Sequence, residues 1–458
     1  MLGIVISRAD SASVHIGEHL RNLTDWETAE DESVPDGDGG GTVWRTDGAT
    51  LREFDELHLH LDRPAEAFSG PTLLVFASRH SGETGPLLTA HHTGNAGPAD
   101  HGGRANEFAR ACPNAHAHVI DRLDAYAPEG YAVGMECTHH GPSAVGAPSM
   151  FVEVGSEREQ WDDPAAARAV ARAILDLRGV APDRPVEDSP GVDESTGDWT
   201  RRHLVGLGGG HYVPRFERVV RETDWAVGHI VADWGLEAVD ESDREVVLEQ
   251  AFEQSRAAYA LVDGDRPDIE AAVEACGHRP VSETWVRETD GVPLTLVQTL
   301  EGEVGTVENG LRFGTPASNG NPPDEWTVET IGDVLDEAFG IDHERTRGAV
   351  ADHALAFDTT EGGTRPTGTI VLGADEDGRE QIIEELLGVL NERYDHIERE
   401  NGTVFARETA FDAERARTLG VPEGPAFGRL ASGERVDVDG ETIPPEAVTR
   451  ERERRFTV

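Results

Sequence analysis

Two short, continuously apolar runs most constrain the fold of this chain. Residues 2–7 and 71–77 are each too short for a buried helix and have the length of a buried strand. Residues 163–177 and 243–258 instead carry apolar residues at helical spacing, and Pro164 stands near the start of the first of these helices. Strands interleaved with helices predict an α/β domain with a mixed, mostly parallel sheet flanked by helices. In such a domain we expect the functional site at the strand ends.

Three further segments have strand patterns. Residues 56–61 alternate in polarity with a period of two, which predicts a half-exposed strand. Residues 115–120 and 131–138 are interpreted as two more strands. The first half of the chain therefore supplies enough strands for one large sheet.

A change in composition near residues 257–281 divides the chain. We predict a catalytic domain over residues 1–265 and a C-terminal α+β extension of unknown role over residues 280–458. Within the first domain, the acidic, glycine-rich stretch 30–41 and the aperiodic stretch 181–198 are interpreted as surface insertions.

The C-terminal extension is poor in candidate functional residues. It is predicted to contain helices over 327–338 and 379–393 and a strand over 367–372. Of the 19 histidines, 15 lie at or before His229, which leaves few for this region. We therefore interpret the extension as structural, regulatory or substrate-orienting, and we expect the chemistry in the first domain.

The charge of the chain is strongly unbalanced. It has 88 acidic and 40 basic residues, a formal net charge of -48, and every basic residue is arginine. Such a surface keeps a protein hydrated in molar salt, where charges are screened within a few ångströms. We therefore expect the cytosol of an extreme halophile, and the recurring apolar runs exclude an acidic disordered protein. The same screening weakens repulsion between the chain and nucleic acid, so net charge does not exclude an RNA substrate.

The N-terminus and the cysteines indicate the compartment. Residues 1–7 form an apolar strand without a basic region or a cleavage site, and no apolar run approaches the length of a membrane span. Cys112, Cys137 and Cys276 are too few for a disulfide framework. We therefore expect a cytoplasmic protein.

The most informative motif is a pair of adjacent histidines, which occurs at 91–92 and again at 139–140. Imidazole is the commonest metal ligand and titrates nearest neutrality. Because neighbouring residues in a strand face opposite ways, at most one histidine of each pair should join a given site. If 131–138 is a strand, Glu136 and Thr138 share one face, and a carboxylate lies beside the second pair. Two such pairs close to His80 in sequence favour a site over isolated structural histidines.

A polar segment directly follows the predicted strand 71–77. Ser78, Arg79 and His80 should project from the carboxyl end of that strand, with Glu83 three residues beyond. His80 and Glu83 would then form a metal ligand with its carboxylate, or a general base with the group that orients it. The alternative is a polar loop closed by serine and glycine turns.

Further candidates stand at the ends of later segments. Glu153 ends another apolar strand, where a carboxylate is costly unless it is paired or metal-bound. The glycine-rich run 206–210 ends at His211, and its backbone NH groups could approach a phosphate or a reaction oxyanion. His229 is the last candidate of this half. Cys137 is a conceivable nucleophile, but we interpret it as a small, inert strand residue.

Well-known catalytic motifs are missing from the sequence. It contains no HExxH helix, no set of four cysteine ligands and no GxSxG turn. Any metal ligands must therefore come from separate loops, and their spacing does not name the metal.

The order of several segments resembles the archaeal and plant type of D-aminoacyl-tRNA deacylase. The segments are 7–13, 77–82, 88–95, 138–142, 152–161, 208–212 and 228–230. The resemblance covers residues 1 to about 265, and after 228–230 the residues Val-Ala-Asp-Trp at 231–234 stand where the family leads us to expect a basic, proline-containing continuation. It implies a fold like those of phosphorylases and peptidyl-tRNA hydrolases. It also implies zinc as cofactor and cleavage of the ester between a D-amino acid and the 3′-terminal ribose of tRNA.

Together with this resemblance, the residues receive three predicted roles. The predicted catalytic residues are His80, Glu136 and His140. The predicted metal ligands are His91, His92, His139 and Glu153. The residues predicted to bind substrate are Ser78, Arg79, Thr138, Gly208, Gly209, His211 and His229. We expect a metal- or histidine-activated water to attack the ester in a monomer without an obligate protein partner.

Two alternatives remain open at this point. The first is another metal-dependent hydrolase or a phosphorylase on the same fold. The second is a non-catalytic, acidic binding protein whose histidines are structural.

Overall fold

The chain divides into two compact units, Met1–Asp290 and Gly291–Val458. The computed structural model describes residues 1–184, 202–318, 323, 325–374 and 377–458. The predicted insertion at 181–198 therefore lies outside the described residues from position 185 onward.

An eight-stranded sheet forms the first unit's larger layer. Its strands are β1 (Leu2–Ser7), β2 (Glu27–Asp31), β3 (Gly41–Thr46), β4 (Ala49–Phe54), β5 (Leu73–Arg79), β6 (Leu87–His92), β9 (Ala132–Met135) and β10 (Ser149–Gly155). They are arranged in the order β2-β3-β4-β1-β5-β10-β6-β9. Strands β4, β1, β5 and β10 are parallel, whereas β6 runs antiparallel to β10 and parallel to β9. This sheet confirms the predicted mixed, mostly parallel α/β class.

Helices and two smaller sheets complete this unit. The helices are α1 (Ser11–Leu23), α2 (Pro113–Tyr126), α3 (Arg158–Trp161), α4 (Pro164–Leu175), α5 (Pro214–Glu222), α6 (Asp233–Ala238), α7 (Arg244–Ser255), α8 (Pro267–Ala275) and α9 (Glu283–Glu288). The smaller sheets contain β7 (Gly94–Asn95) and β8 (Glu107–Phe108), and β11 (His203–Leu207), β12 (Ala226–Val231), β13 (Tyr259–Val262) and β14 (Arg279–Val281). Strands β11 to β14 are parallel, in the order β12-β11-β13-β14.

The two main sheets of this unit meet at the segment that follows β9. The amide of Cys137 donates to the carbonyl of His211 at 3.0 Å, and that of Thr138 donates to the carbonyl of Ile230 at 2.9 Å. One short loop is therefore held by backbone bonds to residues at the ends of β11 and β12. This junction brings the second histidine pair next to the end of the glycine-rich run.

The second unit is an α+β region, as predicted. Its elements are α10 (Leu294–Glu303), β15 (Arg312–Phe313), α11 (Thr315–Ser318), β16 (Trp326–Thr330), α12 (Val334–Ile341), α13 (His343–His353), β17 (Ala356–Thr360), β18 (Arg365–Gly373), α14 (Asp377–Leu390), β19 (His396–Glu400), β20 (Thr403–Phe411), α15 (Ala413–Thr418), α16 (Pro425–Ala431), β21 (Val436–Val438), β22 (Glu441–Ile443) and β23 (Thr449–Thr457). Its largest apolar core includes Leu386 of α14, Ile370 of β18 and Phe456 of β23.

Four predicted elements are wrong in whole or in part. The strand predicted over 131–138 spans only Ala132–Met135. Residues 56–61 contain a short 3-10 helix, because His58 turns inward and packs its ring edge against Phe76 and Phe151. Residues 115–120 belong to α2, in which Pro113 begins a helix whose alternating alanines and histidines also suit a buried helical face. The predicted helix 327–338 begins as strand β16 and becomes helical only at α12.

Among the described helices, none is both long and apolar enough to cross a membrane.

The start of α1 is tied directly to the end of β5. The carboxylate of Asp10 accepts hydrogen bonds from the amides of Ala12 and Ser13, at 3.0 and 3.3 Å, and from the amide of Arg79 at 3.1 Å. Asp10 is buried, so these donors have no water to replace it. The residue therefore both caps the helix and positions the chain just before His80.

We expect Asp10→Ala to lower the free energy of unfolding of the first unit by about 1–2 kcal/mol, because the variant loses a helix cap and leaves buried amides unpaired. Urea unfolding at constant molar KCl measures this change. Asp163→Ala removes the more exposed cap of α4, which accepts one amide bond at 2.8 Å, and should cost less. An equal or smaller loss for Asp10→Ala would contradict the role given to it.

Candidate metal and catalytic site

Seven side chains converge on one face of the large sheet. They come from the end of β5, from β6 and β10, from the loop after β9, and from the loop after β11. We call them the imidazole–carboxylate cluster: His80, His91, Glu136, His139, His140, Glu153 and His211. Because β6 runs antiparallel to β5 and β10, the cluster lies across a sheet face and not along one edge of strand ends.

Glu136 is the centre of this cluster. Its Oε1 lies 3.1 Å from His80 Nδ1, and its Oε2 lies 3.1 Å from His211 Nε2 and 3.7 Å from His139 Nε2. Burial alone would raise the pKa of Glu136. The surrounding imidazoles, above all those of His211 and His80, outweigh burial and hold that pKa well below its usual range. Glu136 is therefore a buried carboxylate that carries negative charge.

Glu153 is the second buried carboxylate. It lies in β10, with Oε1 3.8 Å from His91 Nε2 and Oε2 3.8 Å from His80 Nδ1. Burial, with the nearby charge of Glu136, raises the pKa of Glu153. Burial alone would lower the pKa of His91, but Glu153 and Glu136 raise it. Two carboxylates thus share one set of imidazoles.

Three histidines present the same nitrogen to the cluster. The Nδ1 atoms of His91, His139 and His140 lie 2.8–2.9 Å from the backbone carbonyls of His92, Cys137 and Gly141 respectively. A carbonyl can only accept, so each Nδ1 donates, and each ring, when it is neutral, keeps its lone pair on Nε2. The three ring centroids lie 4.4–4.6 Å apart. This is the arrangement in which histidines bind a metal.

The expectation that His139 and His140 face opposite ways is wrong. Strand β9 ends at Met135, so the second pair lies in a loop where strand alternation does not apply. Burial and the neighbouring imidazoles lower the pKa of His139 to about 3, and they also hold the pKa of His140 well below its ordinary value. Both rings are therefore neutral near neutral pH.

The first histidine pair does alternate, because both residues lie in β6. His92 faces the opposite side of the sheet, where its ring packs 4.6 Å from that of His116 and 5.7 Å from that of His229. Its Nδ1 lies 3.0 Å from the carbonyl of Gly228. Burial, together with the neighbouring rings of His116 and His229, holds the pKa of His92 well below its ordinary value. His92, predicted as a metal ligand, lies outside the cluster.

Thr138 and His229 lie, like His92, on the side of the sheet opposite the cluster. The hydroxyl of Thr138 lies 3.0 Å from His229 Nδ1, and His229 Nε2 donates to the carbonyl of Ala109 at 2.8 Å. Both residues are buried. They anchor the loop after β9 to β12, and their burial argues against the predicted contacts with substrate.

The glycine-rich run has a structural use for two of its amides. Gly208 N donates to the carbonyl of Val231 at 2.8 Å, and Gly209 N donates to Asp233 Oδ2 at 3.1 Å. Both glycines have positive φ, at 95° and 79°, which a side chain would strain. These two NH groups are therefore engaged within the protein, and the predicted contact with an oxyanion does not fit them.

The end of β5 places Ser78 and Arg79 beside the cluster. The hydroxyl of Ser78 donates to Asp10 Oδ2 at 3.4 Å, and the guanidinium of Arg79 lies 5.1 Å from the ring of Trp161. Glu83, expected as the partner of His80, is exposed, and Glu136 takes that position. The sequence pattern placed His80 correctly but could not show which distant carboxylate would reach it.

Cys137 and Tyr212 complete the surroundings. The thiol of Cys137 lies 3.9 Å from His211 Nδ1, and burial with the charge of Glu136 raises its pKa to about 12. It is therefore a protonated thiol and not a nucleophile. Tyr212, whose hydroxyl lies 3.1 Å from His80 Nε2, was not predicted, although it directly follows His211 in the glycine-rich motif.

The donor set fits a metal ion. Four groups within the described residues bring ligand atoms within 4.8 Å of one another: His91/His139/His140, Cys137/His139/His211, His80/Glu136/His211 and His91/Glu136/Glu153. Three atoms of the cluster, both oxygens of Glu136 and Nε2 of His91, are buried. Among the described residues, none offers them an aligned hydrogen bond. Buried polar atoms without partners are costly, and a cation would satisfy all three.

The fold and this cluster define an α/β protein with a buried candidate metal centre on one sheet face. The chain belongs to the D-aminoacyl-tRNA deacylase family. The family model matches residues 68–280, which include the whole cluster. A D-aminoacyl-tRNA deacylase from Haloarcula marismortui is 54% identical, with 100% of each chain covered. One from Halorubrum lacusprofundi is 53% identical over 100% of this chain and 97% of its own.

More distant relatives extend the likeness. A D-aminoacyl-tRNA deacylase from Methanoregula boonei is 32% identical over 84% of this chain and 85% of its own. A crystal structure described as a conserved protein of unknown function, AF0625, is 27% identical with a TM-score of 0.53, and covers 63% of this chain and 98% of that chain. The predicted membership of a haloarchaeal branch of this family is confirmed.

We expect Glu136→Gln to weaken metal binding by roughly tenfold or more, because the variant removes the central charge between three imidazoles. Titration of the metal-free protein with zinc in molar KCl, followed by elemental analysis, measures this affinity. Glu83→Gln makes the same change at an exposed position and should bind metal like the unchanged protein. Equal affinities in the two variants would show that Glu136 is not a ligand.

Proposed function

We propose that this chain hydrolyses the ester of D-aminoacyl-tRNA and releases a free D-amino acid and tRNA. The observation that carries the proposal is the imidazole–carboxylate cluster, which lies inside the region matched by the D-aminoacyl-tRNA deacylase model. Relatives that are aligned over 97–100% of their length and carry this name support the same activity. They make another hydrolase, a phosphorylase or a non-catalytic binding protein the less favoured alternatives.

We further propose zinc as the metal. Nitrogen and carboxylate donors in this number suit zinc, and His91, His139 and His140 would hold it together with Glu136 or Glu153. When bound, zinc supplies Lewis-acid polarisation of the ester carbonyl. His92, which faces away from the cluster, has no part in this set.

The chain's own groups handle the protons. A water oxygen forms a bond to the ester carbonyl carbon, and the bond from that carbon to the ribose oxygen breaks. The attacking water must lose a proton, and the carboxylate that does not hold zinc, Glu136 or Glu153, accepts it, with His80 Nδ1 3.1 Å from the first and 3.8 Å from the second. The ribose oxygen must gain a proton as it leaves. The carboxylate and His80 then return that proton to the ribose oxygen, so the buried site ends with the charge with which it began.

The surroundings suggest how substrate enters. Arg79 follows β5 next to His80, and its guanidinium can pair with a phosphate of the tRNA 3′ end. His211 is partly buried and Tyr212 is exposed, so both stand at the open side of the cluster. We also propose a monomeric, cytoplasmic enzyme, and the supply of all cluster residues by one chain supports the monomer.

We expect His80→Ala and His140→Ala to lower the rate of D-tyrosyl-tRNA deacylation by about 100-fold or more, since the first removes the partner of the proton-accepting carboxylate and the second removes a proposed zinc ligand. Release of labelled tyrosine in molar KCl measures the rate, with L-tyrosyl-tRNA as the stereochemical control. His353→Ala, in the second unit and paired with Glu385, should leave the rate unchanged. Equal hydrolysis of both stereoisomers would contradict the proposed specificity.

Exhaustive chelation should abolish deacylation, and added zinc should restore it, because the buried carboxylates and imidazoles need a cation to orient them. The measurement is the rate before chelation, after chelation and after addition of zinc. Full activity in protein that is shown by elemental analysis to be free of metal would refute the zinc proposal. It would leave a histidine-activated water as the mechanism.

A further inference from the structure

Tyr212 and Glu136 are joined by their backbones. The two residues form an isolated antiparallel bridge, and the amide of Cys137 donates to the carbonyl of His211 at 3.0 Å. A loop after β11 and the segment after β9 are thus fixed to each other at one point. The side chains of Glu136 and Tyr212 therefore start from backbone positions that are fixed relative to each other.

Those two side chains lie against the two nitrogens of one ring. Glu136 Oε1 lies 3.1 Å from His80 Nδ1, and Tyr212 Oη lies 3.1 Å from His80 Nε2. His80 is only 5% exposed, so water cannot easily replace either partner. Both hydrogen-bonding atoms of the imidazole are therefore contacted by groups from the same backbone bridge.

Two glycines leave room for this arrangement. A Cβ on Gly155 would lie 2.6 Å from His80 Cδ2. A Cβ on Gly82 would lie 3.0 Å from His80 Nε2 and 3.6 Å from Tyr212 Oη. The backbone of His80 is also fixed, since its amide donates to the carbonyl of Val154 and its carbonyl accepts from Trp161 Nε1, both at 2.9 Å. The plane and position of the imidazole are therefore restricted, and the tyrosine hydroxyl lies at its Nε2 end.

The tyrosine hydroxyl is held in its turn. It hydrogen-bonds the side chain of Thr84, whose hydroxyl contacts that of Ser156. Ser156 donates to the carbonyl of Gly85 at 2.9 Å. The tyrosine ring itself is 38% exposed and touches His80 and His211 edge-on. A phenylalanine would keep those ring contacts, so the hydroxyl alone makes the hydrogen bonds.

We propose that Tyr212 is a positioning residue whose hydroxyl fixes the orientation in which His80 presents Nδ1 to Glu136 and Glu153. Without it, the ring can turn over and exchange Nδ1 with a carbon, because the two orientations fill nearly the same space. His80 contacts the two carboxylates proposed for the metal site, and partners that orient metal ligands in this way typically alter metal affinity or activity by about 10–100-fold. The inference rests on the proposed function for its kinetic part and on the metal site for its binding part.

The test compares Tyr212→Phe with the unchanged protein in molar KCl. Competition with a chelator should show zinc binding weaker by roughly tenfold, and kcat for D-tyrosyl-tRNA should fall by about 10–100-fold while KM changes by less than about threefold. Tyr131→Phe is the matched control, because it removes a hydroxyl that donates to Asp163 at 2.9 Å, outside the cluster. It should leave zinc affinity, kcat and KM unchanged.

A second variant tests the geometry with the tyrosine intact. Gly82→Ala places a methyl group against His80 Nε2 and the tyrosine hydroxyl, and should produce the same loss in zinc affinity and kcat. Thermal unfolding of every variant confirms that it is folded. If both variants bind zinc and turn over within about twofold of the unchanged protein, or if only KM rises, the positioning role is refuted.

The two proposals fail in different ways. If the unchanged protein does not deacylate D-tyrosyl-tRNA, the proposed function is wrong, and the ratio of zinc affinities between Tyr212→Phe and the unchanged protein still decides the role of Tyr212. If deacylation is present and that ratio and the ratio of kcat are both near one, only the inference about Tyr212 is wrong.

Discussion

Burial of Glu136 and Glu153 side by side is the constraint on which the site depends. A carboxylate removed from water costs several kcal/mol unless other charges and hydrogen bonds replace its hydration. Here four imidazoles lie within 4 Å of the two carboxylates, and the two oxygens of Glu136 still lack aligned hydrogen bonds from any residue that the structure describes. A bound cation is the simplest group that completes this balance. The cluster is therefore an arrangement that protein groups alone leave unsatisfied.

The surrounding fold makes that arrangement rigid. Asp10 ties the start of α1 to the end of β5, and the backbone bridge between Glu136 and Tyr212 ties the loop after β9 to the loop after β11. On the far side of β6, His92 and His229 bind backbone carbonyls and support the same segments. The histidines on that face stabilise the backbone, whereas those on the opposite face belong to the imidazole–carboxylate cluster.

The acidic surface and the buried site meet different demands. The net charge of -48 keeps the chain hydrated in concentrated salt, where screening limits electrostatic attraction to contact distances. An RNA substrate must then be bound through close pairs, for which the planar guanidinium of arginine is well suited. The absence of lysine is consistent with such short-range recognition. Inside the cluster, low exposure protects the carboxylate–imidazole contacts from the same screening.

The sequence by itself determined the α/β class, the main strands and helices, the family, and the segments that hold His80, His91, Glu136, His139, His140, Glu153 and His211. Apolar runs, helical spacing and motif order are local signals, and they survive without a structure. Only the tertiary structure decided that His92 faces away from the cluster and that His139 and His140 both face it. It also decided that Glu136, and not Glu83, lies beside His80, and that Tyr212 joins the site. These facts depend on where β9 ends, on the antiparallel direction of β6 and on a bridge between residues 76 positions apart. Contacts of that kind are set by packing, and no local pattern encodes them.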